Sequence, residues 1–454
     1  MPPRPAAVGD GAILLDAPAP NRPDGKALRA QVPRASHAGW TPAPDRDALR
    51  TLRELFATLI PELRALRGQR MARSPLAFYR GSAAVMAADL ASTPVTGIRP
   101  QISGDAHLAN FGGYASPERR LVFDVNDFDE TVRGPWEWDV KRLAASLVLA
   151  ARAIGVRPAS CSDAVRQALA TYRTRTREYG EMSTLDVWYA SIDVRGTVRT
   201  ALDARARRTW ERQEREARGR TALALLPKIT EVVDGTMRFI DDPPLLERLP
   251  DDDAKAMNVP RVLDDYRGTL RSDAHVLLER FRLVDVARKV VGVGSVGTWC
   301  VLALLVDDRG NPLLLQCKEA RASVFEPYVG PQAARTYGER VVAGQRLMQA
   351  ASDALLGWTQ IGERSLYVRQ FRDMKAAPNL AAMRADELVD FADHCAWALA
   401  RAHARSGDAR AVGAYLGRGD VFDDAIVSFA VAYADQTEKD HAAFVAALPA
   451  GGFL

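Results

Sequence analysis

The 454-residue sequence predicts an α+β fold with two lobes, a small antiparallel β lobe and a large helical lobe. Apolar residues recur at helical spacing over residues 46–285 and again over residues 376–454. Between these stretches, residues 286–375 are rich in Val and Leu and contain Gly-bearing turns, a pattern typical of strands. Residues 1–45 are rich in Pro, Ala and Gly without a sustained period, so we expect a mobile or surface-draped arm.

The predicted helices are periodic segments with recognisable start and stop signals. Ser74 precedes Pro75, a pair that favours an N-cap followed by a first helical turn. Residues 201–220 place opposite charges four positions apart, which indicates a solvated helix rather than an RNA-binding surface. The other predicted helices cover residues 49–59, 75–90, 138–153, 332–356, 385–405 and 421–441.

The clearest strand signal lies in the second half of the chain. Residues 290–306 and 311–318 are rich in Val and Leu, and residues 307–310 between them read Asp-Asp-Arg-Gly. These residue types favour a tight turn, so the stretch predicts a β-hairpin. Residues 365–371 predict a further strand.

The composition argues against several classes of protein. Sixty-one Lys and Arg residues nearly balance 57 Asp and Glu residues, whereas a dedicated nucleic-acid binder carries a concentrated basic surplus. The four cysteines lie far apart, which argues against a zinc site and for reduced thiols in a cytoplasmic protein. The N-terminus has no signal-peptide pattern, and the longest uncharged stretch, residues 290–306, is too short for a membrane helix. We therefore expect no membrane partner.

Residues 101–139 concentrate the polar residues that phosphoryl transfer needs. Residues 104–110 read Gly-Asp-Ala-His-Leu-Ala-Asn, and residues 123–130 read Phe-Asp-Val-Asn-Asp-Phe-Asp-Glu. The reaction needs a carboxylate to orient and deprotonate the acceptor hydroxyl, and oxygen ligands for the Mg²⁺ that bridges nucleotide phosphates. Asp105 and Asn110 supply a base and one ligand on a short loop, and an Asp after the next strand supplies another ligand.

This spacing resembles the catalytic loop of aminoglycoside phosphotransferases and choline-kinase-like enzymes, Gly-Asp-x-His-x-x-Asn followed by an Asp-bearing strand end. The resemblance implies that Asp105 is the catalytic base, Asn110 a metal ligand and Asp127 the main metal-binding carboxylate. Asp129 is a further candidate metal ligand because strand alternation sends it to the same face as Asp127. The choice among Asp124, Asp127 and Asp129 stays open, since Asp-rich loops also cap helices and form turns.

Two further residues of this segment have predicted structural roles. Residues 134–139 are similar to the Gly-Asp-Pro-x-x-Asp-Leu stretch of the same enzymes, which implies that Asp139 has a structural role at a helix start. His107 is interpreted as a residue that braces the loop by hydrogen bonding rather than as a metal ligand.

A glycine-rich run precedes the predicted hairpin. Gly292, Gly294 and Gly297 match the Gly-x-Gly-x-x-Gly pattern, which alone also opens Rossmann helices. Here a strand, a turn and a second strand that ends at Lys318 follow, which is the order of a kinase nucleotide-binding lobe. The glycines would let the backbone approach phosphate oxygens, and Lys318 would neutralise the α- and β-phosphates of ATP.

A buried lysine at this position needs an anionic partner. Glu339, 21 positions after Lys318 in the following predicted helix, is the predicted partner and completes the catalytic set; Glu326 is the runner-up. The structural alternatives are a snorkelling edge-strand lysine and an ordinary exposed helix glutamate.

The order of these motifs is the reverse of the order in kinases, because residues 101–139 precede residues 292–339. The C-terminal helix predicted over residues 388–405 resembles the helix that precedes the catalytic loop in aminoglycoside kinases. We therefore predict a circularly permuted, two-lobed, protein-kinase-like fold with the cut between that helix and the loop.

Residues 45–440 also resemble a bacterial family catalogued as domain of unknown function 2252. Arg80, within one matching stretch, is interpreted either as a phosphate or carboxylate clamp or as an ordinary salt-bridge residue. The matching stretches include residues 74–81, 104–112, 123–130, 135–143, 344–349 and 400–408.

The leading functional hypothesis is ATP- and Mg²⁺-dependent transfer of phosphate to a hydroxyl of an unknown small-molecule or protein acceptor. Transfer of AMP by the same residues is an alternative enzyme reaction. A nucleotide-binding scaffold without turnover is another alternative, because Trp299 stands where kinases usually have the valine that packs on adenine. A metal-dependent hydrolase built on His107 would leave the glycine–lysine segment unexplained.

Overall fold

The structure is a computed structural model, and it describes residues 24–194, 211–212, 214–216, 218–219, 221–249, 259–290, 292, 296–371, 374–376, 379–449 and 453. Much of the chain is helical. The helices are α1 (Leu28–Gln31), α2 (Ala48–Ala57), α3 (Pro61–Met71), α4 (Pro75–Gly81), α5 (Ala83–Leu90), α6 (Trp136–Ala153), α7 (Pro158–Glu181), α8 (Thr184–Tyr189), α9 (Ala222–Ile229), α10 (Val259–Arg267), α11 (Ser272–Leu278), α12 (Glu326–Val329), α13 (Tyr337–Met348), α14 (Ala385–Ser406), α15 (Ala409–Leu416) and α16 (Val421–Ala447).

The strands form antiparallel sheets, so the predicted α+β class is confirmed. The strands are β1 (Gln101–Ile102), β2 (Phe111–Ala115), β3 (Leu121–Val125), β4 (Val132–Arg133), β5 (Ile192–Asp193), β6 (Thr230–Val233), β7 (Thr236–Phe239), β8 (Leu246–Arg248), β9 (Arg282–Lys289), β10 (Cys300–Val306), β11 (Pro312–Ala320), β12 (Gly357–Ile361) and β13 (Arg364–Gln370). The main sheet has six strands in the order β12-β13-β11-β10-β9-β8, and a smaller sheet has the order β2-β3-β5. Strands β1 and β4 pair with each other, as do β6 and β7.

The predicted hairpin is formed by β10 and β11, which pair from Val306 opposite Pro312. The Asp307 carboxylate accepts hydrogen bonds from the amides of Arg309 (2.9 Å) and Asn311 (2.7 Å) and so closes the turn. The prediction from residues 307–310 is confirmed.

Alternating residues of the main sheet pack against helices on opposite faces. Leu302, Leu304 and Leu314 join a buried cluster with residues of α9 and β7. Ala303, Leu305 and their neighbours on β11 pack against residues of α10 and α11. Both faces of the sheet are therefore covered, which explains the nearly continuous apolar sequence of β10 and β11.

Residues 222–371 make up what we call the sheet region, which begins well before the predicted boundary at residue 286. Residues 230–285 were predicted to be helical, but they contain β6, β7, β8 and the start of β9. Asp234 and Gly235 connect β6 to β7 with φ angles of 50° and 74°. An Asp-Gly pair of this kind favours a hairpin turn, so this local signal could have corrected the prediction. The predicted helix over residues 201–220 lies largely outside the described residues.

Two other predicted helices differ from the structure in length. The segment 75–90 forms two helices, α4 and α5, which are separated at Ser82. The predicted N-cap is confirmed, because the Ser74 hydroxyl accepts a hydrogen bond from the amide of Ala77 (3.1 Å). Helix α13 is shorter than the predicted segment 332–356, and the unpredicted strand β12 follows it.

Residues 24–194 and 379–449 make up what we call the helical region. Helix α6 is buried along almost its whole length between α7, α14 and α16. Residues 24–45 of the predicted arm lie against the C-terminal helices, where the His37 ring contacts the Tyr415 hydroxyl (2.8 Å); residues 1–23 lie outside the described residues. None of the described helices combines the length and apolar character needed to cross a membrane.

The corner between α2 and α3, residues 58–60, connects the helical region to the loop between β9 and β10. The Ile60 amide donates to the Gly297 carbonyl (2.9 Å), and the Arg67 guanidinium donates to the Val296 carbonyl (3.0 Å). Gly297 has a φ of 92°, and a Cβ atom there would lie 2.9 Å from the Leu59 Cβ atom. The close contact and the positive φ explain why glycine is needed at this position.

Candidate functional site

A cavity of about 1210 Å³ lies where the helical region meets the sheet region. Its walls include residues of the acidic segment 105–130, strands β11 and β13, and helices α3 and α4. The sequence-predicted site residues that line it are Asp105, Asn110, Asp127, Asp129, Lys318 and Gly292. The two motif-bearing segments thus share one cavity although more than 180 positions separate Asp129 from Lys318.

Lys318 lies on β11, between Cys300 of β10 and Tyr367 of β13. Its side chain is only 3% exposed, and its Nζ atom lies 2.7 Å from Oδ2 of Asp129. Burial acts to lower the pKa of Lys318, but the Asp129 carboxylate and other nearby groups raise it well above its usual value. The lysine is therefore a fixed cation at the cavity wall.

Asp129 contacts two residues of the sheet region, and its predicted role as a metal ligand stays a prediction. Its second oxygen, Oδ1, accepts a hydrogen bond from the Tyr367 hydroxyl (2.7 Å). Both carboxylate oxygens are thus engaged by the sheet region, and Asp129 serves as the counter-ion of Lys318.

Glu339 is not the partner of Lys318 in the structure, which corrects the predicted pair. Glu339 is the third residue of α13, where its carboxylate accepts from the amide of Arg335 (2.8 Å). The hydroxyl of Thr336, the N-cap residue, in turn accepts from the amide of Glu339 (3.1 Å), so both side chains cap the start of α13. The Thr-x-x-Glu spacing is the sequence signal for this role. The runner-up, Glu326, lies 3.5 Å from Arg340.

Asp127 is the carboxylate best suited to a metal ion. Burial acts to raise the pKa of Asp127, but the positive charges of Lys318, Arg369 and Lys375 lower it by more than burial raises it. The pKa of Asp127 is therefore below its usual value. Asn110 donates from its amide nitrogen to the Asp105 carbonyl (2.8 Å), which directs its amide oxygen to other ligands. Within the described part of the chain, no group of three or more His, Cys, Asp or Glu side chains is arranged to hold a metal ion. Ligands from phosphate or water would have to complete such a site.

Asp105 is held by a residue that sequence reasoning missed. The buried Arg142 of α6 donates from Nε to Oδ1 of Asp105 (2.5 Å) and lies over the Tyr79 ring at 4.3 Å. Burial acts to lower the pKa of Arg142, but Asp105 and Tyr79 together raise it by more, so the guanidinium stays charged. Residues 138–142, Trp-Asp-Val-Lys-Arg, put Arg142 one turn after Asp139, which in hindsight is the available signal.

His107 lies beside the same carboxylate, with Nε2 3.6 Å from Oδ2 of Asp105. Burial lowers the pKa of His107 to about 4, and the charge of Asp105 only partly offsets this effect. The imidazole is therefore neutral at pH 7 and packs within the loop.

Asp139 and Asp124 have structural roles. Asp139 accepts hydrogen bonds from the amides of Ser103 (2.7 Å) and Gly104 (2.9 Å) and contacts His403 of α14 (3.2 Å). It thereby holds the turn that leads into Asp105. Asp124 is fully buried, and Arg401 contacts both of its oxygens. Asp124 is thus not free to bind a metal ion.

The glycine-rich loop is only partly described. Gly292 is exposed at the cavity, and Gly297 contacts the α2–α3 corner instead of lining the cavity. Gly294 lies outside the described residues. The proposed backbone contacts to phosphate therefore stay a prediction.

No curated protein and no solved structure matches the chain. One family model matches residues 59–447, which is most of the sequence. The chain therefore belongs to the family described as "Uncharacterized protein conserved in bacteria (DUF2252)".

Proposed function

We propose that the chain is an ATP- and Mg²⁺-dependent phosphotransferase with a circularly permuted, kinase-like fold. The observation that carries the proposal is that Lys318, Asp127, Asn110 and Asp105 line one cavity. Lys318 is a cation on a central strand, Asp127 is an ionised carboxylate, and Asp105 is a carboxylate on a loop. Phosphoryl transfer requires these three kinds of group.

The connections within the sheet region support the kinase-like fold. Strands β9, β10 and β11 follow one another as antiparallel neighbours, α13 comes next, and β13 then pairs with β11 while β12 takes the edge. A glycine-bearing loop between the first two strands, Lys318 on the third strand and a helix after it agree with the proposed kinase-like lobe, with β8 added at the opposite edge.

A contact between distant chain segments supports the permutation. The hydroxyl of Ser406, at the end of α14, accepts a hydrogen bond from the amide of Gln101 (3.1 Å). The end of the helix that would precede the catalytic loop thus meets the start of the segment that carries Asp105. Joining these two points would restore the usual kinase order.

The residues of the cavity have separable roles in this proposal. When bound, Mg²⁺ would neutralise phosphate charge, and the carboxylate of Asp127 and the amide oxygen of Asn110 would hold it. Lys318 binds phosphate oxygens, while Asp129 keeps the lysine charged and oriented. Asp105 accepts a hydrogen bond from the acceptor hydroxyl and takes its proton. Arg142 fixes the orientation of that carboxylate.

Nucleotide titration and ATP turnover of the full-length protein test the proposal. We expect Mg²⁺-dependent ATP binding, a loss of affinity of about tenfold or more in Lys318→Met, and a loss of turnover of about 10²–10⁴-fold in Asp105→Asn. Lys439→Met, which changes an exposed lysine of α16, is the matched control and should behave as the parent. The mass added to a modified acceptor distinguishes phosphate from AMP transfer. Binding without turnover in the parent would contradict an enzyme and favour a scaffold.

A further inference from the structure

Arg80 is a cation at the cavity wall that neither the fold nor the proposed reaction uses. It is the penultimate residue of α4 and lines the same cavity as Asp105. The side chain is half-buried, and its Nε atom is buried without a hydrogen-bond partner. No ion pair joins Arg80 to any of the residues that the structure describes. Of the two sequence interpretations, the ordinary salt bridge thus finds no support in the structure.

Two neighbouring arginines have structural partners, which makes the contrast informative. Arg142 is bound to Asp105 and donates to the Tyr79 carbonyl (3.1 Å). Arg67 donates to the carbonyls of Val296 (3.0 Å) and Gly81 (3.1 Å). Both guanidinium groups hold elements of the fold together.

The position of Arg80 relative to the proposed base is fixed by the preceding residue. The Tyr79 hydroxyl donates to the Arg142 carbonyl (2.9 Å), and Arg142 donates back to the Tyr79 carbonyl. Because Arg142 also holds Asp105, the end of α4 and the base are attached to the same residue of α6. The backbone that carries Arg80 is therefore fixed relative to Asp105 rather than part of a free surface loop.

Lys318 and Arg80 lie on different walls of the cavity. Lys318 lies on β11 of the sheet region, and Arg80 lies on α4 of the helical region, which also contributes Asp105. Burial lowers the pKa of Arg80, and the nearby carboxylates of Asp105 and Asp127 act against this effect. The anions around Arg80 therefore include the proposed base.

A half-buried guanidinium without a partner is costly to the folded protein, and it is the group best shaped to bind a carboxylate or phosphate through two hydrogen bonds. The small residues Ala83 and Ala84 line the same wall and leave room for a ligand. We propose that Arg80 binds an anionic group of the acceptor next to Asp105, so that the acceptor is a hydroxyl compound that also carries a carboxylate or phosphate. This inference rests on the proposed function.

Calorimetric titration of inorganic phosphate into the full-length protein tests the proposal. The titration is done without nucleotide and again with saturating Mg²⁺ and a non-hydrolysable ATP analogue, which fills the γ-phosphate position. We expect phosphate to bind in both states. Arg80→Met should weaken phosphate binding at least about tenfold, the effect expected when a charge-assisted pair is lost. Arg80→Lys, which keeps the charge but not the two-point geometry, should give an intermediate loss.

Arg73→Met, which changes an exposed arginine outside the cavity, is the matched control and should leave phosphate binding unchanged. Equal phosphate binding by the parent and Arg80→Met, or no phosphate binding by the parent, would overturn the proposal. Phosphate binding that disappears when the analogue is bound would overturn the acceptor assignment, because the group would then belong to the nucleotide. Failure of the parent to bind the analogue would overturn the proposed function and the acceptor assignment, whereas the nucleotide-free titration still decides whether Arg80 is an anion site.

Discussion

The substitution Asp124→Asn should destabilise the protein by about 3–5 kcal/mol, the usual cost of breaking a buried ion pair from one side. Asp124 is fully buried on β3, and Nη2 of Arg401 lies 2.8 and 2.7 Å from its two oxygens. The amide of Ala350 also donates to Asp124 (2.9 Å). Asparagine keeps the shape of the side chain but leaves the buried Arg401 without a counter-charge.

Asp127→Asn is the matched control, because it makes the same chemical change three positions later, at the cavity wall. We expect it to change the free energy of unfolding by about 1 kcal/mol or less, while it removes Mg²⁺-dependent nucleotide binding. Urea unfolding followed by circular dichroism measures the first quantity and nucleotide titration the second. The double variant Asp124→Asn/Arg401→Met should be more stable than the sum of the two single changes predicts, since it leaves no unpaired buried charge. Additive effects, or equal stabilities of Asp124→Asn and Asp127→Asn, would refute the reasoning.

Three further substitutions test separate features of the fold and the site. Gly297→Ala should lower stability by about 1 kcal/mol or more, because φ is 92° and the added Cβ atom would press on Leu59; Gly292→Ala, which meets open space, should leave the thermal midpoint unchanged, and equal shifts would contradict this account. Burial raises the pKa of Glu130 from 4.5 to about 7. The folded protein therefore retains a proton that the unfolded chain releases, and the contribution of Glu130 to stability falls as pH rises from 4.5 to 7. When the free energy of unfolding is measured as a function of pH, Glu130→Gln should lack this decrease between pH 4.5 and pH 7. An unchanged slope in the variant would contradict the assignment of the decrease to Glu130. Asp139→Asn should cost about 1–3 kcal/mol and reduce ATP turnover, because two backbone amides lose a charged acceptor; a parent-like unfolding curve would exclude this role.

The parts of the fold that were predictable from sequence depend on local chemistry. The β10–β11 hairpin follows from turn residues 307–310, and the start of α4 follows from Ser74 before Pro75. Where a local signal was overlooked, as at Asp234–Gly235, the predicted helical stretch was wrong.

The ion pairs of the site depend instead on contacts between distant segments. Spacing favoured Glu339 as the partner of Lys318, but Thr336 engages Glu339 in a helix cap, and Asp129 reaches the lysine from the other region. The Asp105–Arg142 pair was hidden for the same reason, because the position of Arg142 one turn after Asp139 indicates its helix face but not its partner. Tertiary packing determines which residues form these pairs, and the spacing of residues in the sequence does not predict that packing.

The α2–α3 corner limits how the cleft between the two regions can widen. A rotation of the sheet region away from the helical region must break the bonds from Ile60 to Gly297 and from Arg67 to Val296, or must carry α2 and α3 along. The same rotation must also break the ion pair of the buried Lys318 with Asp129 and the hydrogen bond from Tyr367 to Asp129, which join the same two regions. Separation therefore costs well over the roughly 2 kcal/mol of the two corner hydrogen bonds alone. We expect a ligand to enter the cavity with these contacts intact, so the corner fixes the width of the entrance.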